Sequence, residues 1–156
     1  MVREHDLLTE IQSAFAGNAR IESQQIVRGE SIEAGMVKHF LSSRSWIDLD
    51  ADALSGYDSR ADLSASIAFL SPEGFRYYLP SFLLFIIEHY TRAGNLIDTL
   101  ISKLASGSDE YGPNAFTRAQ KLAVSRFLSY LKEAHPADKS MGIEIDRALS
   151  LWNTSD

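Results

Sequence analysis

The sequence predicts an all-α fold, a single domain over residues 1–156 in which roughly seven helices form a compact bundle around a central apolar one. Three observations carry this. Apolar residues recur at helical spacing towards both ends, as Leu7, Leu8, Ile11, Ala14 and Phe15 and again as Met141, Ile145, Ala148, Leu149 and Trp152. Two stretches, Ser71-Pro72-Glu73 and Thr117-Arg118-Ala119-Gln120, have the chemistry of helix starts. The apolar run Phe82 to Ile87 lies in a stretch from Pro80 to Gly94 that holds no turn signal and exceeds a typical strand.

In chain order, the first helix covers about 3 to 16 and stops at Gly17. Asn18 to Glu30 has no clean period and stays unassigned. Ser31 caps a second helix, with Met36, Val37, Phe40 and Leu41 as its apolar stripe, ending near Ser43. Trp46, Ile47, Leu49 and Leu54 alternate with acids ahead of Gly56, the pattern of short helical turns and loops. A helix over about 72 to 78 then begins at the Ser71 cap. Proline at 80 lacks an N–H and pushes Leu79 away from helical angles, which predicts a break and a fresh start there.

The helix from Pro80 is apolar on every face of its first turns and therefore central. Asn95 caps the next, with Ile97, Leu100, Ile101 and Leu104 inward. Gly107 to Ala115 is the clearest loop. Thr117 opens a helix to about Ala134 that turns Leu122, Ala123, Phe127, Tyr130 and Leu131 inward, and Pro136 stops it.

Composition narrows the function classes. A chain with 45% hydrophobic and 23% charged residues folds rather than staying disordered. It has no cysteine, which removes disulfides, thiolate catalysis and cysteine-bound zinc and fits a reducing compartment. The acids in Met1 to Glu10 do not suit a signal peptide, and Phe82 to Ile87 is too short to span a bilayer, so a cytoplasmic protein without membrane partners is expected. A formal charge of −6 disfavours nucleic acid and favours a basic protein partner.

That charge is concentrated. Between residues 48 and 73, six acids (Asp48, Asp50, Asp52, Asp58, Asp62 and Glu73) face one base, Arg60, a local net of −5. Folded as one surface, they would draw a cationic partner, with Trp46 or Tyr57 as an aromatic anchor or as core. Asp48, Asp50 and Asp52 resemble the opening of a calcium loop, but Ala53 and Ser59 stand where that loop needs glycine and glutamate. His5, His39, His89 and His135 show no metal-binding spacing. No cofactor and no metal are expected, and no nucleophile motif or phosphate loop marks an enzyme.

The other candidate group is Arg76, Tyr77 and Tyr78, with His89 as an addition. Arginine and phenols can hold an anion or donate protons in a cleft between helices. The structural reading pairs Glu73 with Arg76 and uses the tyrosine hydroxyls to secure backbone freed by Pro80.

Phe69-Leu-Ser-Pro-Glu-Gly-Phe-Arg-Tyr-Tyr-Leu-Pro80 with Phe82, then Phe116-Thr-Arg-Ala-Gln120 with Val124 and Phe127-Leu128, resembles a family of small bacterial proteins of unknown function. The likeness spans Trp46 to Leu131. It implies a small intracellular bacterial protein and carries over no activity, catalytic residue or ligand. The expectation is a non-enzymatic protein-binding module. Its most concrete form is an immunity-type inhibitor that masks a basic toxin or effector domain with the acidic stretch. The alternative is a small-ligand binder or enzyme at Arg76-Tyr77-Tyr78.

Overall fold

Hydroxyl caps begin the helices where the sequence places them. Ser31 Oγ accepts from the Ala34 N–H at 3.1 Å, Ser71 Oγ from the Gly74 N–H at 2.9 Å, and Thr117 Oγ1 from the Gln120 N–H at 3.2 Å. The Gln120 side chain returns a bond to the Thr117 N–H at 3.0 Å, closing a capping box. The computed structural model describes residues 2–55, 63–136 and 139–153. Among them it has nine α-helices and a single isolated antiparallel bridge, Val27 with Leu70, in place of any sheet. The chain is all-α.

Two compact units divide it, Met1–Gly17 with Ile101–Asp156, and Asn18–Leu100. In the first, α1 (Glu4–Phe15) and α9 (Lys139–Trp152) both pack on α8 (Arg118–Ala134). Leu7, Ile11 and Phe15 of α1 are buried, as are Met141, Ile145, Ala148 and Trp152 of α9. The Phe116 ring lies 6.4 Å from Phe15 and 5.1 Å from Trp152, whose indole N–H donates to the Leu104 carbonyl at 2.9 Å. Two expected inward residues differ. Leu122 is exposed, because the buried stripe of α8 is centred on Ala123, Val124, Phe127, Leu128 and Leu131; Tyr130 is half-buried and donates to Glu4 Oε2 at 3.2 Å.

The second unit holds α2 (Ile32–Leu41), the short α3 (Ala51–Ser55) and α4 (Leu63–Ala68), the long α5 (Pro72–Glu88) and α6 (Tyr90–Ala93). Its boundary with the first falls within α7 (Asn95–Ala105). On α2 the buried face is Ala34, Val37 and Leu41, so the expected stripe is rotated and Met36 lies outside it. The unassigned stretch forms a 3-10 turn, Ser23–Gln25, and then pairs with the entry to α5. The Arg28 N–H donates to Phe69 O and the Ser71 N–H to Ile26 O, both at 2.9 Å, while Ser71 Oγ donates to Gln25 O.

The largest departure is at Pro80. The expected break does not occur: α5 runs unbroken from Pro72 to Glu88 with Pro80 inside it and is buried along most of its length. Proline deprives the carbonyl four residues back, that of Arg76, of its helical donor. Asn18 replaces that donor, its Nδ2 donating to Arg76 O at 3.2 Å and reaching Tyr77 O at 3.5 Å. A segment far away in sequence thus satisfies the carbonyl that proline leaves open.

Asn18 and Pro80 should therefore be energetically coupled. Asn18→Ala is expected to lower stability by about 1–2 kcal/mol, the usual cost of leaving a buried acceptor unpaired. In a Pro80→Ala background the restored N–H serves Arg76 O, so the same substitution should cost clearly less. Urea unfolding of the four proteins in this double-mutant cycle checks it. Equal costs in both backgrounds would remove the compensating role of Asn18.

Candidate functional site

In the first half of α5 lie three candidates, Arg76, Tyr77 and Tyr78, and the structure sorts them. Tyr77 and Tyr78 both turn inward, with their rings edge to face at 4.7 Å and 88°. The Tyr78 hydroxyl sits 2.9 Å from Leu41 O and 2.7 Å from Arg44 O, where its proton ties the end of α2 to α5. Burial, reinforced by Tyr77, pushes the Tyr78 phenol up to about 12, with Arg20 and Arg44 acting in the opposite direction. The tyrosine hydroxyl therefore secures backbone, as the structural reading held, but at the end of α2 and not at the carbonyl that Pro80 leaves open.

Arg76 is half-buried, and no ion pair joins it to Glu73, so the expected surface pair is absent. His89 caps the far end of α5, its ring 5.7 Å from that of Phe85. At 1.5 Å per residue, the helix carries His89 about 20 Å beyond Arg76. The grouping of His89 with Arg76, Tyr77 and Tyr78 is corrected accordingly: one rigid helix holds its two ends apart.

The match that decides the family covers nearly the whole chain: the sequence model of a family of unknown function, DUF6714, matches residues 3–155. The chain belongs to the DUF6714 family. The match reaches well beyond Trp46 to Leu131 and takes in α1 and α9. Comparison of this DUF6714 chain with curated proteins and with solved structures finds no match.

In this DUF6714 protein the acids at 48, 50 and 52 occupy a short, well-anchored segment. Trp46 is buried, and its carbonyl accepts from Ser81 Oγ at 2.6 Å, which makes it core and not an exposed anchor. Leu49 is also buried, and its N–H donates to Ser45 O at 3.1 Å. Between these two fixed points Ile47 faces out at 68% exposure, a large apolar side chain held in water. Asp48 Oδ2 accepts from Ser45 Oγ at 2.9 Å, and Asp50 Oδ1 accepts from the Ala53 N–H at 3.0 Å, capping α3.

Asp52 is exposed in the first turn of α3 and Glu73 in the first turn of α5, where helix dipoles favour acids. Each of these four acids thus has a local structural use, and all remain exposed. Tyr57, Asp58 and Asp62 lie outside the described residues. Sequence reasoning did not single out Ile47, because the alternation of apolar residues and acids does not decide which of Trp46 and Ile47 turns inward; the Ser81 contact to the Trp46 carbonyl does. It also missed Asn18, for which no local signal exists. Among the described residues, no group of three or more His, Cys, Asp or Glu side chains is placed to hold a metal, and no helix is long and apolar enough to cross a membrane.

Proposed function

We propose that this DUF6714 protein is a cytoplasmic protein-binding module whose surface around Ile47, Asp48, Asp50 and Asp52 receives a basic protein partner. The observation that supports this reading most is the exposure of Ile47 within an acidic segment pinned on both sides by buried Trp46 and Leu49. An apolar side chain held rigidly in water loses little conformational freedom on contact, and the acids beside it raise the encounter rate with a cation. Buried Tyr77 and Tyr78, by contrast, are committed to packing. In its most specific form the module is an immunity-type inhibitor that masks a basic toxin or effector domain, in keeping with the bacterial, intracellular setting that the resemblance implies.

The test is capture of partners from host lysate at low salt on the immobilised protein, beside an Ile47→Ala/Asp50→Asn/Asp52→Lys variant. Asparagine retains the capping ability of Asp50, so α3 is preserved. The wild-type protein should retain a basic protein in stoichiometric amount, and the variant should lose most of it. Equal retention by both would remove this surface from the mechanism.

A second reading is favoured by one observation. Arg76 is half-buried without a carboxylate partner, and Arg20 and Arg44 lie near enough to Tyr78 to act on its ionisation. An anionic small ligand would suit that neighbourhood. Such a ligand at 100 times its Kd would add about 2.7 kcal/mol of stability, visible as a thermal shift that Arg76→Ala abolishes.

A further inference from the structure

Among the described residues, the outer face of α2 presents apolar side chains that none of their packing uses. Ile32 is 81% exposed and Met36, one helical turn on, is 39% exposed. His39 continues the same ridge in solvent, while Ala34, Val37 and Leu41 face inward on the opposite side. Gly35 sits between Ile32 and Met36. Glycine is among the least favoured residues inside a helix, and a Cβ added at Gly35 would meet nothing within 4 Å. The fold itself therefore gives no reason for glycine there. A backbone approaching from outside would, because absence of a side chain allows two helices to come close.

The charges along α2 identify the visitor. Glu30 and Glu33 stand at its beginning, Lys38 in its last turn, and Arg44 just beyond its end with its guanidinium stacked on the Phe40 ring. An antiparallel copy of the same helix sets each acidic end against a basic end, whereas a parallel copy opposes like charges. A purely basic or purely acidic partner would satisfy only one half of the face. The arrangement is self-complementary, as a two-fold interface requires.

We infer that the outer face of α2 is a self-association surface on which a second copy of this chain docks antiparallel, with Ile32 and Met36 packed around Gly35. The surface is distinct from that around Ile47, and the inference stands without the partner reading. One helix face is smaller than a standard stable interface of roughly 1,600 Å², so the dimer should be reversible and of micromolar affinity.

Sedimentation velocity of the full chain from about 1 µM to about 500 µM tests it. A monomer–dimer equilibrium is expected. Ile32→Glu should weaken it at least tenfold, and Gly35→Leu should do the same while raising the melting temperature of the monomer. Because the chain has no cysteine, Met36→Cys provides a single thiol, which should form a disulfide-linked dimer under mild oxidation, whereas Ser23→Cys should not. A chain that stays monomeric throughout overturns the proposal. So does a dimer whose affinity neither Ile32→Glu nor Gly35→Leu changes.

Discussion

Gly74→Ala is expected to lower the stability of the protein by about 3 kcal/mol, a cost in the upper range for a single methyl group. A Cβ at this position would lie far inside van der Waals distance of the Ile26 carbonyl oxygen, a backbone atom with no rotamer to change. Relief requires moving the segment that holds Ile26. That segment is bonded to the start of α5 through Ser71 N–H to Ile26 O and Arg28 N–H to Phe69 O, so relief would strain or break these bonds. The helix tolerates glycine in its first turn because the loop must approach so closely. Urea unfolding with an unchanged m-value would register the loss as one of stability. A change below about 0.5 kcal/mol, the scale of an ordinary surface substitution, would contradict the close packing of residues 25–28 on the α5 entrance.

The second large effect is a loss of stability at high pH that runs through Tyr78. Its phenol ionises near 10 in the unfolded chain and about 12 in the folded one. Between those values the unfolded chain releases the proton while the folded chain keeps it, so the unfolded state binds fewer protons and stability falls as pH rises. The contribution is fully present below pH 10 and is lost by about pH 12, amounting to roughly 2–3 kcal/mol. Tyr78→Phe should be less stable than wild type at pH 8, because Leu41 O and Arg44 O lose their donor, and the difference should narrow across this window. Denaturant unfolding at stepped pH measures it. Parallel pH dependences for the two proteins would show that the phenol does not ionise with this preference.

How far the fold is legible in the sequence depends on how local each determinant is. Caps at Ser31, Ser71 and Thr117 lie within three residues of the donors they satisfy, and all three form. The periodic stripes of α1 and α9 bury along their centres, at Leu7, Ile11 and Phe15 and at Met141, Ile145, Ala148 and Trp152, while Leu8, Ala14 and Leu149 at their margins are half-buried. A stripe gives only the approximate orientation of a helix, however, and the small rotations that expose Met36 on α2 and Leu122 on α8 depend on neighbours. The continuity of α5 through Pro80 was out of reach for a stronger reason. Its compensating donor, Asn18, comes from a stretch without periodicity, and only the folded chain brings it to Arg76 O.

The candidate site divides along the same line. The exposed acids and the apolar residue among them are visible in the sequence as an alternation. That Trp46 is core and Ile47 is the outward residue follows from Ser81 reaching the Trp46 carbonyl, a contact between distant segments. Likewise the adjacency of Arg76, Tyr77 and Tyr78 in sequence suggests a chemical group, but helix geometry distributes them around an axis and turns both phenols inward.

Whether the Ile47 surface receives a basic partner is decided by the affinity of the captured protein as a function of salt, for the wild-type protein and for the Ile47→Ala/Asp50→Asn/Asp52→Lys variant. Wild-type binding should weaken steeply with salt, and the variant should bind at least tenfold more weakly at low salt with a shallower dependence. Equal affinity and equal salt dependence for the two proteins would contradict a role for this surface.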